Sequence, residues 1–232
     1  YRARQISMDR VVALKVLRRQ AADFQDHVER MKREARWIGR LSHPNIIQGF
    51  DIGETDGYVY FAMEYVKGQT LHRLILREGG LPERRAVSIA LQIAKAIGAL
   101  WNEHIVHRDI KPGNIMVTPG GVAKLCDLGL AIDVRREREK SLDEPGMAVG
   151  TPYYMSPEQV RGEVVADLRS DIYSLGVTLY RMVTGKVPFK GATRAVILSK
   201  HLVDPPRWPR RIKGALTNDV CMLVSKMMAK DR

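Results

Sequence analysis

Apolar residues along the chain fall first into strand-like and then into helix-like spacings. Residues 1–17 read as a β-hairpin: Tyr1 to Gln5 forms one arm, Ser7-Met8-Asp9 the turn, and Val11-Val12-Ala13-Leu14-Lys15-Val16-Leu17 the other arm. Phe24, Val28, Met31, Ala35 and Ile38 recur at three- and four-residue steps and predict a helix over 23–41 with one apolar face. Glu34 lies beside that face, and the helix ends before His43-Pro44 because proline disfavours its continuation. Strands follow at Ile46–Ile52 and Tyr58–Glu64, joined through Gly53 and Asp56-Gly57. After Val66-Lys67-Gly68-Gln69 the period changes to that of helices. Val87, Leu91, Ala94, Ile97 and Trp101 predict the buried face of a helix over Arg84–Glu103. Ile172–Val183 is apolar nearly all round, which places it in an interior, and Gly185 is set to end it. The pattern predicts an α+β fold, with a small strand-rich lobe over 1–65 and a larger helical lobe over 66–232, without internal repeats.

Length and composition narrow this picture. A chain of 232 residues holds one domain or two small lobes with room for a stable core. It opens at Tyr1 on strand-like sequence and closes at Lys230-Asp231-Arg232 directly behind an apolar helical pattern, so a fragment of a longer protein is expected. No run of eighteen or more apolar residues occurs, and no membrane segment is expected within it. Cys126 and Cys221 stand far apart without zinc-like spacing, a usage that fits a reducing, cytoplasmic compartment. The net charge of +12 can attract nucleic acid, anionic lipid or acidic substrates. The cations are dispersed, however, and form no stripe interleaved with aromatics, so a generally basic surface is expected and no nucleic-acid partner. Arg135-Arg136-Glu137-Arg138-Glu139-Lys140 has the composition of a mobile stretch.

The chemistry concentrates in residues 107–129, which read His107-Arg108-Asp109-Ile110-Lys111-Pro112-Gly113-Asn114 and then Asp127-Leu128-Gly129. Two carboxylates and an amide at this spacing can hold a hydroxyl nucleophile and two metal ions around one phosphate chain. The segment resembles the catalytic and metal-binding loops of eukaryotic-type Ser/Thr protein kinases, and the Met155-Ser156-Pro157-Glu158-Gln159 run is most similar to bacterial members. The resemblance implies a bilobal fold, a small strand-rich N-lobe with one regulatory helix and a larger helical C-lobe. It implies ATP and Mg²⁺ as cofactors and Ser/Thr hydroxyls of proteins as acceptors, a second copy of the kinase among them.

Residue by residue, Asp109 takes the place of the acid that positions the acceptor hydroxyl, and Lys111 that of the cation beside the transferring phosphoryl group. Asn114 and Asp127 match the metal ligands. Lys15, in Val12-Ala13-Leu14-Lys15, matches the lysine that anchors the phosphates, with Glu34, nineteen positions on, as its partner and Glu29 as the alternative acid. Opposite charges at ~4 Å attract by about 4 kcal/mol at an effective dielectric near 20, before desolvation is subtracted. Met63-Glu64-Tyr65-Val66 matches the adenine-binding linker. Met63 would back the pocket, Glu64 and Val66 would offer main-chain hydrogen bonds, and Ala13 and Met116 would sandwich the purine. The activation segment runs from Asp127 to Glu158 and includes Thr151. Ser156 stands where alanine is usual and Leu128 where phenylalanine is usual. Asp171 matches the buried acid that braces the backbone of His107 and Arg108. Ser141 is the only hydroxyl amino acid between Asp133 and Gly150, so a phosphate there could pair with Arg108 and order the segment.

The glycine-rich loop of the family is expected before Tyr1, and the arginine that pairs with the acid at Glu158 just past Arg232. Two other readings stand beside the kinase: a nucleotide-binding pseudokinase or scaffold, and a basic nucleic-acid-binding module motivated by charge alone.

Overall fold

The structure is a computed structural model that describes residues 1–18, 24–134, 151–163 and 167–231. Its first layer is an antiparallel sheet in the order β1-β2-β4-β3, built from β1 (Arg2–Gln5), β2 (Arg10–Arg18), β3 (Gly49–Thr55) and β4 (Tyr58–Glu64). A short 3₁₀ turn, Ile6–Met8, closes the first hairpin, with Asp9 in the left-handed region at φ 47°. Asp56 and Gly57 both have positive φ, 47° and 77°, which suits a tight hairpin turn whose twist matches the flanking strands. The sheet begins later than the apolar pattern at Ile46 suggests. Ile46 instead bridges Leu125 in parallel, Ile47 N–H donates to the Leu125 carbonyl at 2.9 Å, and Leu125 N–H donates to the Asn45 carbonyl at 2.8 Å. Asn45–Ile47 is therefore a splice between the strand-rich and helical halves.

Helix α1 (Phe24–Arg40) lies across β2, β3 and β4. Val28, Met31, Ala35 and Ile38 face the sheet, and Glu34 is buried among them at 2 % exposure. A carboxylate so placed on an apolar face needs a cation or donors to offset its lost hydration.

The helical half contains α2 (Leu71–Glu78), α3 (Glu83–Asn102), α4 (Pro157–Arg161), α5 (Leu168–Thr184), α6 (Arg194–Val203) and α7 (Asn218–Met227). Small sheets fill the space between: β5 (Gln69–Thr70), β7 (Ile115–Val117) and β8 (Ala123–Leu125) in the order β5-β7-β8, and β6 (Ile105–Val106) beside β9 (Ile132–Asp133). Helix α3 buries Ala86, Ile89, Ile93, Ala96, Ile97 and Leu100, whereas Leu91 is 57 % exposed and Ala94 is exposed. The buried face is thus rotated from the one the sequence predicts. The helix carries apolar residues on more than half its circumference, and close approach to α5 favours the side with alanines.

Helix α5 is buried on nearly every side and ends at Gly185, φ 73°. A Cβ there would lie 2.3 Å from the carbonyl oxygen of Gly79, the residue that caps α2 at φ 66°. The two helix ends meet backbone to backbone, and Leu81 N–H donates to the Met182 carbonyl at 2.6 Å beside them. No helix among the described residues is long and apolar enough to cross a membrane.

Candidate active site

Strand β2 and helix α1 bring one cation and one acid to the edge of the cleft. Lys15 Nζ lies 2.8 Å from Glu34 Oε2 and 3.1 Å from Asp127 Oδ1, a residue 112 positions away in sequence. Burial alone would lower the Lys15 pKa, but the charges of Glu34 and Asp127 outweigh it and the net shift is upward. Burial pushes the Glu34 carboxyl up against the pull of Lys15, while at Asp127 burial is outweighed by Lys15 and the carboxyl is held below its ordinary value. Glu34 also accepts the Leu128 N–H through Oε1 at 3.2 Å. It thereby ties α1 to the segment after Asp127, and Leu128 is buried at 2 % exposure. Glu29, by contrast, pairs with Lys32 at 3.6 Å on the surface.

The loop after β6 supplies the second group. Asp109 Oδ2 accepts from Lys111 Nζ at 2.6 Å and from Asn114 Nδ2 at 2.9 Å, and Asn114 Nδ2 also donates to the Asp109 carbonyl at 3.0 Å. Among the described residues Oδ1 is left to accept from an incoming hydroxyl. Lys111 Nζ donates in addition to Thr151 Oγ1 at 2.8 Å, which joins this loop to the far side of the 135–150 segment.

Two non-glycine residues of these loops, Arg108 at φ 66° and Asp127 at φ 67°, hold left-handed backbone. Such conformations cost on the order of 1–3 kcal/mol and persist where the surroundings over-determine them. Asp171 does so for Arg108. In the first turn of α5 it accepts the His107 N–H at 2.8 Å and the Arg108 N–H at 2.9 Å, at 1 % exposure. His107 is fully buried, and its Nδ1 accepts the Asp109 N–H at 3.2 Å.

A cavity of about 430 Å³ opens beside Lys15, lined by Ala13, Glu34, Met63, Val66, Met116 and Asp127 among others. Ala13 comes from the sheet and Met116 from β7, so a flat ring between them would touch both halves of the protein. Glu64 borders the same cavity, but its N–H donates to the Gln48 carbonyl at 2.8 Å and its carboxylate pairs with Lys124 at 3.0 Å. Cys126 also lines it. Burial, and then the charges of Asp127 and Glu34, push its thiol up to about 12, and Sγ donates to the Asn114 carbonyl at 3.1 Å.

The oxygen donors fit a hard cation. With Asn114 Nδ2 committed to Asp109, its amide oxygen is left for a ligand, and the half-exposed Asp127 carboxylate is kept ionised. Two protein oxygens suit Mg²⁺, which retains waters and takes phosphate oxygens, better than a caged transition metal. No cluster of three or more His, Cys, Asp or Glu residues able to hold a metal occurs among the described residues.

Glu158, in α4, accepts the Ser170 hydroxyl. Ser141, expected as the phosphate switch, and Arg232 lie outside the described residues. Sequence reasoning passed over Gln159. It completes a capping box with Ser156, the N-cap of α4, and donates from Nε2 to the Arg108 carbonyl at 2.8 Å. The Ser-x-x-Gln spacing was the available signal.

The protein kinase domain family matches residues 1–232. Serine/threonine-protein kinase pkn3 of Myxococcus xanthus is 43% identical over 91% of this chain and 40% of its own length. Serine/threonine-protein kinase PrkC of Bacillus subtilis is 38% identical over 100% of the chain and 35% of its own. Serine/threonine-protein kinase PknB of Mycolicibacterium smegmatis is 36% identical over 99% and 37%. The chain thus spans well under half the length of these relatives. A family match from end to end, on a chain whose Lys15, Glu34 and Asp127 meet across the cleft, leaves one conclusion: the chain belongs to the protein kinase domain family.

Proposed function

We propose that the chain is the catalytic domain of a serine/threonine protein kinase, which transfers the terminal phosphoryl group of ATP to Ser or Thr hydroxyls of proteins. The observation that carries this reading is the position of Lys15 Nζ between Glu34 and Asp127. A cation held by one buried acid and aimed at a second, metal-compatible acid is suited to grip the phosphates of a nucleotide in the adjoining cavity.

In this reading the adenine lies between Ala13 and Met116, with Met63 behind it and the main chain of Glu64 and Val66 alongside. Asn114 and Asp127 would hold Mg²⁺, which would supply positive charge to the phosphate chain. Asp109 accepts a hydrogen bond from the substrate hydroxyl through Oδ1 and takes its proton late in transfer. Lys111 already stands on Asp109 and offsets negative charge as it develops on the transferred group. Asp171, His107 and Gln159 keep the loop in its strained form, so the carboxylate is aimed before substrate arrives.

The test is phosphotransfer from γ-labelled ATP to casein with Mg²⁺, followed by phosphoamino-acid analysis. Label on serine or threonine that disappears on chelation and in Lys15→Ala supports the reading. Label confined to tyrosine, or undiminished in Lys15→Ala, contradicts it.

A further inference from the structure

Below the loop that carries Asp109, a second cavity of about 800 Å³ opens between that loop, Thr151 to Tyr154, the end of α5 and the residues before α6. Thirteen residues line it. Among the described residues five are basic, His72, Lys111, Arg181, Lys186 and Lys190, and none is Asp or Glu. The chain as a whole has 26 acids against 38 lysines and arginines, so a wall whose described residues include no acid departs from the dispersed charge elsewhere.

Two of these cations are fixed in place. Lys111 is held by Asp109 and Thr151, and Arg181 donates through Nη1 to the buried Tyr154 hydroxyl. Lys186 and Lys190 are exposed on the loop that follows Gly185. Burial, and then the Arg181 charge, hold the His72 imidazole below its ordinary value, so the fixed charge comes from the other four side chains.

We propose that this cavity selects the substrate: it receives the carboxylate of an Asp or Glu within about three residues of the hydroxyl to be phosphorylated. The inference rests on the kinase reading above, because Lys111 belongs both to this wall and to the Asp109 group. The dimensions agree. A space of about 800 Å³ is roughly 9 Å across, close to three residues of extended chain at ~3.3 Å each. Arg181 presents a planar fork that matches a carboxylate, and an arginine or lysine at the same place in a peptide would face the like charges of Arg181, Lys186 and Lys190, with Lys111 already paired to Asp109. Acid-flanked peptides are therefore accepted and base-flanked ones refused by the same wall.

The experiment compares serine peptides of equal length that carry Asp, Ala or Lys at each position flanking the acceptor. kcat/KM is measured with the full chain, Arg181→Gln and the double variant Lys186→Glu/Lys190→Glu, and binding of a fluorescent Asp peptide is followed without ATP. Wild type should favour the best Asp peptide over its Ala counterpart by about tenfold, the yield of two or three partly exposed pairs acting together, and mostly through KM. The preference should shrink in both variants, reverse towards Lys in the double one, and fade at high salt. Equal use of Asp, Ala and Lys peptides by wild type overturns the proposal, as does a preference that survives intact in both variants. Absence of label from every peptide, with Asp-peptide binding retained, overturns the kinase reading instead and leaves the pocket as an acidic-peptide site.

Discussion

Removing the Asp171 carboxylate should release the loop that carries Asp109. The two N–H groups that it accepts, on His107 and Arg108, sit at 2.8 and 2.9 Å, and Asp171 itself is 1 % exposed. In Asp171→Ala both donors lose their acceptor in a dry interior, at about 1–3 kcal/mol each. Part of this is returned, because burial opposes ionisation of Asp171 and raises its pKa. A net loss of about 2–4 kcal/mol follows, a large share of a domain's stability. Asp171→Asn keeps one acceptor and turns an NH₂ group on the other donor, for a loss of about 1–3 kcal/mol. The released Arg108 peptide can also leave its φ of 66°, which moves the next residue, Asp109. Urea unfolding followed by fluorescence of the three tryptophans measures the first effect. Amide exchange at His107 and Arg108 measures the local release, and single-turnover phosphotransfer measures the consequence at Asp109. If Asp171→Ala loses under ~0.5 kcal/mol and keeps both amides protected, the bracing argument is wrong.

Three further outcomes follow from other parts of the fold. With its pKa pushed up to about 12, Cys126 should react with iodoacetamide at pH 8 roughly a thousandfold more slowly than a free thiol, as read by mass spectrometry; labelling within minutes on the native protein refutes the burial argument. Burial, and then the Lys230 charge, lower the His201 pKa from 6.5 to about 4, so the unfolded chain takes up that proton first. Stability from this group is intact above pH ~6.5 and falls by about 3 kcal/mol as the pH drops through 4; His201→Gln should lose that part of the acid slope in urea melts, and an unchanged slope contradicts it. Gly185→Ala puts a Cβ 2.3 Å from the Gly79 carbonyl oxygen at φ 73°, and should cost at least ~2 kcal/mol in thermal or urea unfolding; a neutral variant would mean that the α2 and α5 ends are not packed as described.

The sequence was most legible where one face is buried and the other wet. Helix α1 follows this rule, and its period places Val28, Met31, Ala35 and Ile38 in the core. It was least legible where apolar residues surround an element, because no contrast marks the inward side. That is why the pattern puts Leu91 and Ala94, both exposed, on the inward face of α3 beside the buried Ile97. Ile46 misled for a related reason: it is buried by a single bridge to Leu125, 79 positions on, rather than by a ladder, and local pattern does not distinguish the two. The residue types around Asp109 and Asp127 carry the family resemblance, whereas the left-handed backbone at Arg108 leaves no mark in the sequence, since the distant Asp171 braces it. The basic wall around Arg181 joins residues from His72 to Gly191 and exists only after folding.

The most direct test of the central claim is single-turnover transfer from γ-labelled ATP in wild type and Asp109→Asn, with nucleotide affinity measured beside it. The amide keeps the size of Asp109 but cannot take the hydroxyl proton. Transfer should fall by at least about a hundredfold while ATP still binds within a few-fold of wild type. Transfer at the wild-type rate in Asp109→Asn would contradict the assignment at its root.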